Sequence, residues 1–414
     1  MSDTGRTGLG LYVHIPFCRV KCPYCSFVVY AKRDHLRHDY VTALIQEMTL
    51  RAAHAREDHL GLERIDGRLP LRTLYLGGGT PSLLPPQALE RILAAAHQLF
   101  TVSPDCEITV ETEPGTTDAD SFAALVGMGV NRVTIGAQSF DPAHLARLGR
   151  VHSPEDARAA VAAARSAGVG SLDLDLMFGL PEQTLASWQD DLAHALALEP
   201  DHLSLYNLTV EPETVFAQRE KRGQLALPEE ELQAAMMRAA IQTTEAGGLE
   251  HYEISNFARP GHRSRHNSGY WAGTAYLGVG VGAHGFAPRG GRHGFGVRSW
   301  NIKGPGPYIA SLARGELPVD EAEELDRDAS MLEALYLGLR QRGGLDLRSY
   351  GRRFGVDLVV SASSALESLA SQALISIEMP HLKLTEDGVI IADYVISRLA
   401  GYLDTTGGLD TVKS

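Results

Sequence analysis

The chain has 414 residues, 44% hydrophobic and 21% charged, the balance of a folded protein with a sizeable core and room for one large domain plus a smaller one. Its formal net charge is −13 and no run of Lys or Arg stands out, which disfavours a nucleic-acid substrate, because phosphate binding draws on clustered cations. Met1 to Gly10 contains no apolar signal segment and no stretch reaches the ~18 uncharged apolar residues of a membrane span, so the expected compartment is the cytoplasm.

Short β-branched or aromatic runs, each ending in Gly, Pro or a polar turn, predict strands over Leu11–Ile15, Leu71–Leu76, Glu107–Val110, Arg132–Ala137, Ser171–Met177 and His202–Leu208, with a weaker one at His251–Ser255. Ala- and Leu-rich stretches with helical spacing lie between them, at Asp39–Ala55, Pro86–Phe100, Ala119–Val126, Pro154–Ala167 and Leu185–Leu198. Strand alternating with helix is the pattern of βαβ units and a parallel sheet. No dinucleotide-type Gly fingerprint follows the first strand. The predicted fold class is therefore α/β, a partial (open) TIM-like β/α barrel with its chemistry at the C-terminal strand ends.

After Phe286 the pattern changes. Ala287 to Gly306 reads as a loop, and Glu321 to Arg342, Leu347–Phe354 and Ser361–Gln372 read as helices. His381–Asp393 reads as a β-hairpin turning at Glu386-Asp387-Gly388, and Tyr394–Tyr402 as a last helix. The division predicted is a barrel over 1–286, a linker over 287–318, a small α+β C-terminal domain of winged-helix-like character over 319–403, and a disordered tail over 404–414.

Three of the four cysteines lie in Cys18-Arg-Val-Lys-Cys22-Pro-Tyr-Cys25, directly after the first strand. An extracellular disulfide framework spreads its cysteines along the chain, whereas packed thiolates in a reducing compartment point to a metal site. Gaps of three and two residues allow one loop to wrap three corners of a four-iron cube. The only other cysteine is the distant Cys106, so one iron of a [4Fe–4S] cluster stays open to a chelating small molecule. Zinc on these thiolates and His14 is the alternative, but structural zinc favours two separated knuckles.

Other polar residues fall where strands end. Gly77-Gly78-Gly79-Thr80 leaves bare backbone that a ligand can approach, although such turns are often only turns. Glu111 ends a strand, where a carboxylate suits an ammonium or ribose hydroxyls, or is merely solvated. Gln138 ends another, and Arg150, twelve residues on, offers a planar fork for carboxylates or is a surface charge. Asp175 lies inside an apolar strand, where an unpaired charge is costly.

Tyr12-Val-His-Ile-Pro-Phe-Cys18, the C-x3-C-x2-C spacing, Gly77-Gly-Gly-Thr80-Pro-Ser, Glu111-Thr-Glu-Pro-Gly115, Gly136-Ala-Gln138-Ser-Phe, Leu148-Gly-Arg150 and Asp175-Leu-Met-Phe-Gly-Leu-Pro181 together resemble the radical-SAM group that contains the oxygen-independent coproporphyrinogen III oxidases and their relatives, the heme chaperones. The resemblance covers most of residues 11–285. It implies a [4Fe–4S] cluster on Cys18, Cys22 and Cys25 and S-adenosylmethionine lined by Tyr12, Gly78, Glu111, Gln138, Arg150 and Asp175. Tyr24, Gly79 and Thr80 match positions that touch a second cofactor molecule in the oxidases.

Two features separate the branches of that group. The oxidases carry a further cysteine two positions after the third, where this chain has Phe27. His266-Asn267-Ser-Gly-Tyr270-Trp271 resembles the signature that the chaperones use for heme, with His266 as the axial ligand, since neutral imidazole is a standard heme ligand. A polar-loop His is otherwise most often a surface or hydrogen-bonded residue. His284 is a second ligand candidate. The resemblance thus implies a heme chaperone, monomeric or homodimeric, that delivers heme to an acceptor protein such as a membrane-bound respiratory enzyme. The alternative is a coproporphyrinogen III oxidase forming protoporphyrinogen IX by radical decarboxylation. RNA modification, a third class, is disfavoured by the acidic balance and the lack of a basic module.

Overall fold

The computed structural model describes residues 8–403, so the expected tail over 404–414 lies outside the described residues. Strands β1 (Leu9–Ile15), β2 (Pro70–Gly78), β3 (Thr101–Thr112), β4 (Arg132–Gln138), β5 (Ser171–Phe178) and β6 (His202–Asn207) pair in parallel in chain order. Beyond β6 the short strands β7 (Glu250–Glu253) and β8 (Asn256–Ala258) turn antiparallel, so the run expected at His251–Ser255 is the first half of a hairpin. On the other side β9 (Tyr276–Val279) pairs in parallel with β1, and β10 (His284–Ala287), β11 (Val297–Asn301) and β12 (Val319–Glu324) extend the sheet antiparallel. All belong to one 12-stranded sheet that ends at β12 and β7 without closing, an open barrel.

Alternation along the strands sorts side chains between two environments. In β1, Leu9, Leu11, Val13 and Ile15 are fully buried under the outer helices. The intervening Tyr12 and His14 face the interior, where Tyr12 pairs in register with Tyr75, and Tyr75 with Thr109. Glu111, Thr134, Asp173 and His202 form a second register level. The interior is therefore polar while the outer face holds Leu, Ile and Val. That answers why an Asp can sit inside an otherwise apolar strand.

Residues 287–318, expected as a linker, hold β11 and the helix Pro305–Ala313, whose Tyr308 and Leu312 are buried in the main core. Gly, Arg and Pro suggested a loop, but the Val297–Asn301 segment has a partner strand on each side. Val319–Glu324 forms the exposed edge strand, although a long helix was expected from Glu321, and the helix runs only over Arg327–Leu339. Glu-rich sequence favours helix, yet charge on an edge also discourages further strand pairing. The C-terminal hairpin joins Ile375–Glu378 to His381–Leu384 and turns at Met379-Pro380. Glu386–Ile390, expected at its tip, is instead a short helix capped by Thr385, whose hydroxyl accepts from the Gly388 N–H at 3.0 Å.

The C-terminal unit has its own core around Leu335, Leu382, Val395 and Leu399. It clamps the β7 edge through backbone bonds from Ile254 N–H to the Arg340 carbonyl and from Arg342 N–H to the Tyr252 carbonyl, both 3.0 Å. On the opposite side, the helix Arg37–His54 is locked to the sheet by Glu47, which is fully buried. Its carboxylate accepts from Arg51 Nε at 2.6 Å, the Gly280 N–H at 2.8 Å, Asn301 Nδ2 at 2.7 Å and Tyr308 OH at 2.6 Å. Removing it strands four donors. Glu47→Ala lowers unfolding free energy by about 3 kcal/mol in a chemical-denaturation series; a loss below about 0.5 kcal/mol contradicts this role.

Candidate cluster and cofactor site

The cysteine loop leaves the C-terminal end of β1 and is pinched at its root. Phe17–Cys18 pairs in parallel with Tyr30–Ala31, and the Tyr30 N–H donates to the Pro16 carbonyl at 2.7 Å. Within the loop Cys25 N–H donates to the Cys22 carbonyl at 3.2 Å, a tight turn that brings the second and third thiols round. All three are partly exposed free thiols, whereas Cys106 is buried. Burial pushes the Cys18 thiol up to about 12, opposed by the Thr80 hydroxyl and reinforced by Cys25, Glu113 and Cys22. A buried thiol held protonated in this way is a poor ligand until a cationic centre arrives, and iron supplies that charge.

The shell around the thiols is cationic and hydroxylic. Arg150 Nη1 lies 3.8 Å from Cys22 Sγ, and its Nη2 donates to the Gly136 carbonyl at 3.0 Å and pairs with Glu113 at 3.1 Å. Thr80 Oγ1 lies 3.9 Å from Cys18 Sγ. Gly149 has φ +67°, and a Cβ there would fall 2.8 Å from Pro23 Cδ, so glycine lets the arginine segment back directly onto the loop. His14 is unavailable as a zinc ligand: its Nδ1 bonds Tyr12 OH at 2.9 Å and its Nε2 the Val28 carbonyl at 2.8 Å. Among the described residues no three His, Cys, Asp or Glu side chains converge as for a single metal ion. Three partly exposed thiols on one tight loop fit a cube that takes one thiolate at each of three corners.

The residues expected to hold S-adenosylmethionine fall into three places. Tyr12, Gly78 and Glu111 line one cavity beside the loop. Glu111 accepts from the Gly78 N–H and from Tyr75 OH, each at 2.8 Å, and burial pushes its carboxyl up against those two bonds. Gly78 has φ +109° and a Cβ would strike the His14 ring at 2.3 Å. Arg150, Thr80 and Gly79 belong to the shell of the loop; a Cβ on Gly79 would come within 2.8 Å of the Ile15 carbonyl and 2.7 Å of that of Phe17. Gln138 sits at φ +66°, a backbone strained for any residue but glycine. Its amide nitrogen lies against Gly136, beside Arg150. Asp175 is deeper, in register with Ser204, and one of its oxygens is buried without a hydrogen-bond partner. Such an oxygen calls for a donor, and an ammonium or a ribose hydroxyl is one. Tyr24 packs away from the cavity, in an apolar cap with Leu148 and Phe216.

His266 is not where an open ligand would be. It is 3% exposed, at the start of the helix Arg265–Trp271 that enters the barrel floor. Its Nδ1 bonds Thr73 Oγ1 and its Nε2 bonds Tyr270 OH, each at 2.8 Å, and the ring stacks on Tyr75 at 5.0 Å. Burial pulls its pKa down to about 3. Both nitrogens are spent, so in this structure the expected axial ligand is a buried strut that positions Tyr270. Tyr270 itself reaches the cavity.

Sequence reasoning missed Glu113, which pairs with Arg150, and Tyr75, which orients Glu111. It also missed the chain Asp173–His202–Tyr252 in the interior, with bonds of 2.6 and 2.7 Å. Only the Glu-Thr-Glu pattern carried a signal: Glu113 follows Glu111 by two positions, the spacing that keeps side chains on one face as the strand ends. The cavity has a volume of about 560 Å³ and is lined by Tyr12, Phe27, Tyr270, Tyr276 and Phe286 with polar groups between.

Replacing Cys18, Cys22 or Cys25 by Ala abolishes the broad visible absorbance of an iron–sulfur cluster after anaerobic reconstitution, whereas Cys106→Ala retains it. Full cluster content in all three single variants contradicts the assignment.

With this geometry in place, the likenesses to known proteins can be stated. The radical-SAM superfamily model matches residues 12–195, and the HemN C-terminal domain model matches residues 325–391. The chain is 34% identical to the heme chaperone HemW of Bacillus subtilis, over 95% of this chain and 99% of that protein. It is 41% identical to HemW of Escherichia coli, over 67% of this chain and 70% of that protein. The solved structure of the Escherichia coli coproporphyrinogen III oxidase HemN, a radical-SAM enzyme, superposes with a TM-score of 0.78 at 25% identity, covering 96% of this chain and 90% of that one. A likeness that spans the barrel, the cysteine loop and the C-terminal unit alike places this chain in the HemW family of radical-SAM proteins.

Proposed function

We propose that this protein is a heme chaperone: it binds heme in the cavity beside its cysteine loop and passes it to an acceptor protein in the cytoplasm or at a membrane surface. The observation that carries this reading is the lining of that cavity, where Phe27, 65% exposed, stands on the loop at the position of the oxidases' further cysteine. An aromatic side chain there offers a macrocycle a contact face. HemW relatives from several bacteria carry the name heme chaperone.

Cys18, Cys22 and Cys25 would hold the [4Fe–4S] cluster, which supplies an open iron and a single-electron donor for S-adenosylmethionine. Arg150 balances the charge of the thiolates through Cys22. Gly78 lets the end of β2 close onto the His14 ring and aim its N–H at Glu111, and Glu111 and Asp175 would offer carboxyl oxygens to the cofactor's ammonium or hydroxyls. Gln138 would contribute its amide from the end of β4, and Tyr12 would contribute to the cavity wall beside Gly78 and Glu111. Gly79 and Thr80 back the loop, and Tyr24 packs beside it with Leu148 and Phe216. Among the described residues no helix is long and apolar enough to cross a membrane.

The likeness to HemN supports oxidation of coproporphyrinogen III as a second reading. One preparation tests both. Ferric heme added to the anaerobically reconstituted protein gives a saturable Soret band near one equivalent, and coproporphyrinogen III with S-adenosylmethionine and reductant is not converted to protoporphyrinogen IX. Conversion without heme uptake contradicts the chaperone reading.

A further inference from the structure

In this structure His266 lies in the barrel floor with both ring nitrogens hydrogen-bonded, to Thr73 and Tyr270. The cavity supplies another imidazole. β10 and β11 are antiparallel, and the register pairs His284 with Trp300 and Phe286 with Arg298. Positions two apart on a strand share a face, so all four side chains belong to one face of this ribbon. His284, Phe286 and Arg298 line the cavity, together with Lys303 just past the end of β11. Phe27 and Tyr12 line the same cavity.

His284 differs from His266 in each property that matters for ligation. It is exposed to the cavity, and among the described residues no hydrogen bond or ion pair engages its ring. The ring stacks on Trp300, with centroids 5.6 Å apart and planes 28° apart, which fixes its plane while leaving its nitrogens open. Burial and the nearby Arg298 and Lys303 pull its pKa below the ordinary value, so the imidazole is neutral and able to bind a metal.

The two cations have spare capacity for anions. Arg298 pairs with Glu323 at 3.2 Å and with Glu333 at 3.3 Å, yet its Nε is buried without a hydrogen-bond partner. Lys303 is exposed, and among the described residues no hydrogen bond or ion pair holds its Nζ. One free imidazole, two cations and a ring of aromatic side chains match the three chemical parts of a heme: the iron, the paired carboxylates and the flat apolar macrocycle.

Resting on the chaperone reading above, we propose that His284 is the axial ligand of the bound heme iron, with Arg298 and Lys303 holding its propionates. The site then lies against the cysteine loop at Phe27. Three of the residues expected at S-adenosylmethionine, Tyr12, Gly78 and Glu111, line this same cavity.

Ferric heme and iron-free protoporphyrin IX, titrated separately into the full-length protein and read by Soret absorbance, test the assignment. Cluster absorbance reports that each variant is folded. His284→Ala shifts the Soret maximum and weakens ferric heme at least about tenfold, while protoporphyrin IX binds within about twofold of the wild type. His284→Met, which keeps a donor atom of similar reach, retains heme but moves the Soret maximum. Arg298→Gln with Lys303→Gln weakens both porphyrins and leaves their dimethyl esters unaffected. An unchanged Soret maximum and affinity in His284→Ala overturns the ligand assignment alone, as does an equal loss of heme and protoporphyrin IX. Absence of heme uptake by the wild type overturns this assignment and the chaperone reading together.

Discussion

The carbonyls of Ile15 and Phe17 each accept a hydrogen bond of 2.8 Å, from Gly79 and Thr80 respectively. These two bonds tie the root of the cysteine loop to the turn that follows β2, and the site depends on them. They are possible only because position 79 has no Cβ. Once the root is fixed, Thr80 reaches Cys18, Gly78 presents its N–H to Glu111, and the loop projects over the open end of the barrel rather than away from it. A loop of this kind, rich in partly exposed thiols, gains little from its own packing. Its shape is held by backbone bonds to regular structure, as an accurately positioned site requires.

The second constraint is the polar interior. A closed barrel of this size fills its centre with branched apolar side chains. Here Tyr75, Glu111, Asp173, Asp175 and His202 occupy those places, and most find partners within the barrel: Asp173 with His202 and Arg132, Glu111 with Tyr75. The exception is the free oxygen of Asp175. Stability is thus carried by the outer layer of Leu, Ile and Val, and the interior is left to bind polar ligands. The helix Arg265–Trp271 closes the floor with His266 as its inserted polar tip, bonded at its backbone N–H to Glu107 at 2.9 Å.

Much of this was legible in the sequence, for physical reasons. The parallel strands and their helices announced themselves through β-branched runs and helical spacing, and the three thiols through their gaps, because both are local patterns. Partners across the fold were not. Glu113 reads like any acid until Arg150 is seen beside it, and Glu47 reads like an exposed helical residue until Gly280, Asn301 and Tyr308 converge on it. Edge strands are a further blind spot: Val319–Glu324 has the composition of a helix, and only pairing with β11 makes it a strand.

His266 carries the sharpest lesson. The motif that contains it was recognisable, but the motif does not say which way its histidine points. Burial and the two ring bonds, to Thr73 and Tyr270, settle that in three dimensions. The imidazole that lines the cavity is His284, in the short Gly-Ala-His-Gly segment that the sequence offered as a second candidate. A recognised pattern locates a neighbourhood, and the geometry decides which atom in it is available.

The central claim is that three thiolates hold a cluster whose fourth iron is open to S-adenosylmethionine. Mössbauer spectroscopy of protein reconstituted with ⁵⁷Fe, before and after addition of S-adenosylmethionine, addresses it most directly. The account predicts a [4Fe–4S] signature in which one iron site alone changes its isomer shift on addition of the cofactor. A spectrum with no cuboidal cluster, or with all iron sites unmoved by S-adenosylmethionine, would contradict it.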